Sequence, residues 1–474
     1  MHRTPRRLLA LLLVGLALGL ASSASGSVAG NDYAVQAQRY VIALKGDYAV
    51  NEGYAVGSSY AVYAVAHDYA VYAVQAAGGT VTNDLSRQIG VLVAESANAN
   101  FATLLQQYAV LDGYAVIQSV STDKATKQKA PPPSNTPTPD PLEAQQWGMS
   151  MIRADKAHAR TLGSRSVDVG ILDSGVDPTH VDFSDSGLPG GHSNVDCSRG
   201  HVSLPESPLS VGAGACSGDS GAHGTHVAGI VAAQLNGTGV VGVAPGVTLV
   251  PVQVCDGLVC WWSAAIDGIT YAGDAKLDVI NMSFYADDPE TTSELKDCDS
   301  EDSATVTAVN RAIAYARSRG VTPVAALGNN GEDLASPAFD GCKVVPAESP
   351  GVIAVTALGP TGAIASYSNY GYGAADVAAP GGDGPETDSS QAILSTIPGY
   401  WASLNGTSMA SPHAAGVAAL IESRYGKVGA NGDVELKPDQ VQSKLQSTAT
   451  DIGARGYDGF FGWGRIDALR AVGG

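Results

Sequence analysis

Residues 169–180 read VGILDSGVDPTH. An apolar run ends abruptly at Asp173, and Ser174-Gly175 turns the chain. A short run without polar alternation predicts a strand buried on both faces, as in a parallel sheet. A carboxylate at the C-terminal end of such a strand stands where α/β sheets place ligands and chemistry. Outward from it, β-branched runs recur at 167–172, 247–254, 279–282, 321–326 and 352–355. Helices are predicted between them at 226–233, 263–273, 304–319 and 409–423. This alternation predicts an α/β fold with a central, mostly parallel sheet covered on both faces. Residues 142–474 are near the upper limit for one hydrophobic core, which a three-layer fold accommodates.

Three further segments precede this region. Residues 131–141, PPPSNTPTPDP, read as an extended, exposed linker. Residues 30–130 read as a small α+β domain, with strands at 39–44 (RYVIAL) and 90–94 (GVLVA) and a helix at 100–107. Within it the triplet Tyr-Ala-Val occurs nine times between Tyr33 and Val116. Its uneven spacing gives no solenoid unit, and the pattern sustains neither a helix nor a strand period. Residues 1–29 carry Arg3, Arg6 and Arg7, an apolar run over 8–20 and then small residues. That order reads as a secretory signal peptide, with cleavage after Ala24 or Ala29 fitting equally. The run is too short for a membrane span of about 20 residues, so a secreted, extracellular chain without a membrane partner is expected.

Composition narrows the partners. The 474 residues hold 27 Lys+Arg against 46 Asp+Glu, a formal charge of −19. The excess lies in residues 142–474, with 37 acids against 18 bases. This argues against nucleic acid or an anionic membrane surface as partner. A 45% hydrophobic, 15% charged chain is not a disordered one. All six cysteines follow residue 150, and in a secreted chain an even number implies disulfides. Proximity favours Cys197–Cys216, Cys255–Cys260 and Cys298–Cys342 among the fifteen pairings that six cysteines allow.

Two more blocks carry chemistry. Residues 223–229, HGTHVAG, put His223 at a helix start and His226 three residues on, along the same face. A metal pair would need a third ligand and usually the Glu of HExxH, and neither is there. A catalytic His with a structural neighbour fits better. Residues 405–412, NGTSMASP, put Ser408 at a helix N-terminus. Unpaired N–H groups and the positive dipole end favour developing negative charge there, although such a Ser is often a plain N-cap. A hydroxyl needs a base, an imidazole supplies one near neutral pH, and a buried carboxylate orients the imidazole. The chain offers Asp173, His223 and Ser408 in the order known for subtilisin.

DSG at 173–175, HGTHVAG at 223–229 and GTSMASP at 406–412 resemble the signature blocks of subtilisin-like serine proteases. VVGVAP at 240–245, VINMS at 279–283 and VIAV at 352–355 agree, so the resemblance spans roughly residues 145–470. It implies a three-layer subtilisin-like fold preceded by a propeptide that acts as chaperone and inhibitor. It implies a monomeric serine endopeptidase that hydrolyses polypeptides through an acyl-enzyme and needs no cofactor for catalysis. Asp173 would orient, His223 would be base and then acid, and Ser408 the nucleophile. Asn329, with the Ser408 N–H, would bind the oxyanion. Ser283, Phe284 and Tyr285 would form one substrate edge and residues 257–260 the other, with Trp262 as the lid of a distal subsite. A structural calcium would draw on Asp182 and Asn236, on carbonyls of Leu235, Thr238 and Val240, and on Glu143 or Gln145. The chain departs from the family at Tyr285, where small residues are common, and in the acidic stretch 287–303. An exopeptidase of the tripeptidyl aminopeptidase type remains a rival. An inactive protease fold used for binding is disfavoured, because no triad or oxyanion residue is lost.

Overall fold

The computed structural model describes residues 37–45, 58–111, 114–127, 142–185, 191–204, 210–211, 216, 218–219, 221–257, 259–285, 299–300, 303–384, 389–429 and 434–474. The expected signal peptide, the linker, Cys298 and most of the acidic stretch 287–303 lie outside them.

Residues 37–474 form one compact unit. Its first part runs β1 (Gln38–Leu44), α1 (Ser58–Ala76), β2 (Thr80–Leu85), β3 (Val91–Ser96), α2 (Phe101–Gln107), β4 (Ile117–Thr122) and β5 (Ala125–Lys127). The strands make an antiparallel sheet in the order β2-β3-β1-β4. Ile42, Leu44, Leu92, Phe101 and Leu105 fill its own core. The Tyr-Ala-Val triplets need a correction here, because two tandem pairs of them lie within α1. Ala70, Ala73 and Val74 are buried, at the i, i+3, i+4 positions of one helix face. Two adjacent triplets thus supply a helical stripe, although Tyr and Val are only moderate helix formers.

The larger part follows as β6 (Asp168–Asp173), β7 (His201–Val202), α3 (His223–Ala232), β8 (Thr248–Gln253), β9 (Val259–Trp261), α4 (Trp262–Asp274), β10 (Val279–Met282), α5 (Ala304–Ser318), β11 (Thr322–Ala326), β12 (Ile353–Leu358), β13 (Val377–Pro380) and α6 (Thr407–Tyr425). Seven strands run parallel in the order β7-β8-β6-β10-β11-β12-β13. The short strand Ser210–Val211 pairs antiparallel at the β7 edge. Both faces are covered, as near-continuous apolar strands require. Val169, Ile171, Val279, Val324, Ile353 and Val355 pack with α3 and α6 on one side. Leu172, Val250, Val252, Ile280, Met282 and Ala325 pack with α4 and α5 on the other. Alternate residues of single strands therefore feed two cores, which is the physical content of a three-layer α/β fold. Each such buried aliphatic side chain contributes ~1.5–3 kcal/mol.

The two parts meet along α4, α5 and β9. Strand β5 pairs antiparallel with β9. The Asp123 carboxylate accepts from Ser263 N at 2.8 Å and also from the Ser263 hydroxyl, near the start of α4. Ser121 Oγ accepts from Ala304 N at 3.0 Å, at the start of α5. Arg311 donates to the Gly90 carbonyl at 3.0 Å and to Gln118 Oε1 at 2.9 Å, and Asn83 donates to Asp267 at 3.0 Å. Two of the expected disulfides are present, Cys197–Cys216 and Cys255–Cys260. Cys342 is also disulfide-bonded. Among the described residues, no helix is long and apolar enough to cross a membrane.

Candidate active site

Asp173 ends β6 at the C-terminal edge of the sheet, as the sequence places it. It is fully buried, and an unpaired carboxylate there would be costly. Ser174 N donates to its Oδ1 at 2.8 Å, and His223 Nδ1 lies 2.9 Å from Oδ1 and 3.1 Å from Oδ2. That contact fixes the His223 ring and leaves Nε2 as the working nitrogen. His223 is the first residue of α3, and Gly224 explains how the helix comes so close. A Cβ at Gly224 would lie 2.1 Å from the Gly175 carbonyl oxygen and 3.2 Å from Asp173 Oδ1. Only glycine lets the helix start touch the turn after Asp173.

The sequence reading missed the support beneath this pair. Ser174 Oγ donates to Asp219 Oδ1 at 2.7 Å and accepts from Gly224 N at 3.0 Å. Asp219 Oδ2 accepts from Thr225 N at 2.7 Å. Ser174 and Asp219 thereby satisfy orphan amides of α3 and tie the His-bearing helix to the Asp-bearing strand. Burial pushes the Asp219 carboxyl up, and the nearby Asp173 charge adds to this. The available signal was an acid four residues before His223, readable as a helix cap.

His226 is the structural neighbour expected. Its Nε2 sits 3.1 Å from the carbonyls of Ile393 and Ala402, and burial drives its pKa down to about 3. His413, on α6, is held down to about 4 by burial and bonds the Met409 carbonyl through Nδ1 at 2.8 Å. Both are neutral near pH 7 and are no rivals to His223 as a proton carrier.

Ser408 is the second residue of α6 and is 7% exposed. Its amide has no intrahelical acceptor by position. Its Oγ donates to the Ser283 carbonyl at 3.1 Å rather than to His223. Ser283 Oγ donates to the Ser408 carbonyl at 2.8 Å, so the two segments are latched together. Asn329 follows β11 through Gly328. Its Oδ1 accepts from Thr407 N and Thr407 Oγ1, both at 2.8 Å, which leaves Nδ2 facing the site. The position that a Cβ at Gly406 would occupy is 3.6 Å from Asn329 Nδ2 and 3.5 Å from Ser408 N. Two donors therefore flank one small open volume beside the serine, the geometry of an oxyanion hole.

The substrate residues expected from the sequence separate. Ser283 lies beside Ser408. Phe284 and Tyr285 are buried in the core on the α4 side of the sheet. Trp262 is 2% exposed and packs edge-on to Phe284, with ring centroids 6.1 Å apart. It is part of the floor rather than a rim residue.

Asp182 Oδ2 and the Asn236 amide, the side chains expected at a calcium site, are engaged with protein groups. Asp182 Oδ2 accepts from the Trp401 indole at 2.5 Å and from Val240 N at 2.9 Å. Asn236 turns its amide nitrogen to the carbonyls of Val181 at 3.1 Å and Ser184 at 2.7 Å, and its oxygen accepts from Thr238 N at 2.8 Å. Calcium asks for six to eight oxygen ligands. Here the carboxylate and the amide oxygen serve N–H donors, and Glu143 and Gln145 are exposed. No cluster of three or more His, Cys, Asp or Glu suited to a metal occurs among the described residues. The loops are tied by protein donors, and calcium enters no step below.

Comparison with known proteins agrees with this geometry. The model of the subtilase family matches residues 164–464. Subtilisin DY of Bacillus licheniformis is 36% identical over 66% of this chain and 94% of its own length. Subtilisin BL of Lederbergia lenta is 34% identical over 69% of this chain and 98% of its own. The crystal structure of the epidermin leader peptide processing serine protease of Staphylococcus aureus superposes with a TM-score of 0.66. It covers 92% of this chain and 98% of its own at 21% identity, which speaks for the fold. A seven-stranded parallel sheet between two helical layers, a family match over residues 164–464 and 36% identity to a subtilisin place this chain in the subtilase family of serine endopeptidases.

Proposed function

We propose that the enzyme acts through Asp173, His223 and Ser408, with Asn329 in the oxyanion hole, and is made as a secreted, self-processing precursor. The observation that carries this is the buried Asp173–His223 contact beside a serine flanked by two aimed donors. Ser408 Oγ turns from the Ser283 carbonyl to His223 Nε2. As Oγ attacks the peptide carbonyl, its proton passes to Nε2, and Asp173 stabilises the imidazolium without taking the proton. The oxyanion accepts from Asn329 Nδ2 and Ser408 N. His223 then protonates the leaving amine, and water repeats the sequence in reverse to release the acid.

Residues 30–130 act as the propeptide and residues 1–29 as the signal for export. Strand β5 lies on β9 as an extended peptide, and Asp123 and Ser121 satisfy the first turns of α4 and α5. A segment that adds a strand next to the cleft and precedes a linker suits an inhibitor that is cut free. It also provides a template for a slow, non-local parallel sheet. The mature enzyme works as a monomer on polypeptides.

N-terminally blocked peptides test the reading. The expected result is internal cleavage that falls ~10⁶-fold in Ser408→Ala. Cleavage restricted to peptides with a free N-terminus would favour the exopeptidase reading, and undiminished cleavage by Ser408→Ala would refute the assignment of the nucleophile.

A further inference from the structure

Tyr285 is a large aromatic residue that the chemistry above does not use, yet it sits close to it. Residues 283–285 continue β10 past Met282 and run alongside the nucleophile. Phe284 turns to Trp262, on the α4 side. Ser283 turns the other way, to the Ser408 carbonyl and Ser411 Oγ. The Tyr285 ring carbon Cδ2 lies 3.3 Å from the position of a Cβ at Gly328, the residue before Asn329. The residue is 8% exposed, within the cluster that also holds Phe284, Leu327 and Leu334. The ring therefore lies between the two backbone segments, 283–285 and 327–329, that flank Ser408.

A scissile carbonyl held by Asn329 Nδ2 and Ser408 N must aim the side chain of its own residue away from the leaving amine. We propose that this side chain is received between those two segments, and that Tyr285 fills the space there and sets the specificity of the enzyme, restricting the residue on the acyl side of the scissile bond to small side chains such as Ala, Gly and Ser. The proposal rests on Ser408 being the nucleophile. A tyrosine ring occupies the volume that a Phe or Leu substrate side chain would need, and close-packed sites do not take both. Differences of one or a few methylenes in such a pocket are worth ~10–200-fold in kcat/KM.

The test uses the secreted product of the full chain and a set of N-blocked fluorogenic peptides that differ only in the residue before the cleaved bond: Ala, Leu, Phe or Lys. The expected kcat/KM for the Ala peptide exceeds that for the Leu, Phe and Lys peptides by at least ~10-fold. In Tyr285→Gly the Phe-to-Ala ratio should rise by a similar factor. Because loss of a buried ring can cost the fold, Tyr285→Leu is measured beside it and should shift the preference toward Leu. Equal or faster wild-type cleavage after Phe, Leu or Lys overturns the proposal without any variant. So does an unchanged ratio in a folded Tyr285→Leu. Ser408→Ala separates this failure from a deeper one. Cleavage that depends on Ser408 but ignores side-chain size sinks only the proposal, whereas cleavage independent of Ser408 sinks the nucleophile assignment and the proposal with it.

Discussion

Asn329 is held by its oxygen, which leaves its nitrogen for the oxyanion role proposed above. Thr407 supplies both donors to Oδ1, and Thr407 Oγ1 accepts in turn from Gly328 N at 3.2 Å. The amide is oriented before any substrate arrives, which is the kind of preorganisation that lowers a barrier. Asn329→Ala should lower kcat by ~10²–10³ with a much smaller change in KM, read from steady-state kinetics on a blocked peptide. Gly406 is the complementary case. A methyl group there lies 3.5–3.6 Å from Ser408 N, Asn329 Nδ2 and Ser408 Cβ, so the substrate-free fold tolerates it. It would nevertheless stand where the oxyanion must sit. Gly406→Ala should therefore keep the wild-type melting temperature within a few degrees and lose kcat by about as much as Asn329→Ala. A variant that melts early but turns over normally would contradict this placement of the hole.

Among the elements, α6 carries both the proposed nucleophile and an anomaly. Glu422 is 1% exposed near its C-terminal end, with Thr322 Oγ1 3.4 Å away. Burial, with the Asp278 charge adding, pushes its carboxyl from the usual 4.5 up to about 9. The folded state thus keeps a proton that the unfolded chain gives up from pH 4.5 onward. Stability contributed by the neutral acid is full below that pH and is lost progressively up to pH 9, at up to ~1.4 kcal/mol per pH unit. Glu422→Gln should flatten this slope, raising the melting temperature at pH 8–9 more than at pH 5, measured in a Ser408→Ala background to prevent autolysis. The loop tie at Asp182 gives a second prediction. Trp401→Phe removes the indole donor from a buried carboxylate and should cost ~1–3 kcal/mol, seen as a drop of a few degrees in melting temperature. Parallel strands and their helices were legible in the sequence, because runs such as 279–282 and 321–326 are apolar throughout and bounded by turns. The proposed triad could be named from sequence because Asp173, His223 and Ser408 each sit in a distinctive local block. Helix α1 was not, since its stripe emerges only when adjacent triplets are wound at 3.6 residues per turn. The Ser174–Asp219 support and the turn of Tyr285 toward Gly328 join residues distant in sequence, and no local pattern encodes such contacts.

For the whole molecule, the N-terminal sheet and the protease part are bound through features of unequal kind. The pairing of β5 with β9 and the capping by Asp123 and Ser121 involve the backbone of the protease part. The Arg311 and Asn83 contacts are side-chain bonds at the rim. Under the function proposed above, the N-terminal sheet is the propeptide and Ser408 of the same protein cuts the chain between 127 and 142. Paired expression of the wild type and Ser408→Ala, with intact-mass analysis of the secreted products, tests this most directly. The account predicts a wild-type fragment that begins within or just after residues 128–141 and a Ser408→Ala product that retains the N-terminal sheet. Equal shortening of both proteins, or a folded wild type that stays unshortened, would contradict it.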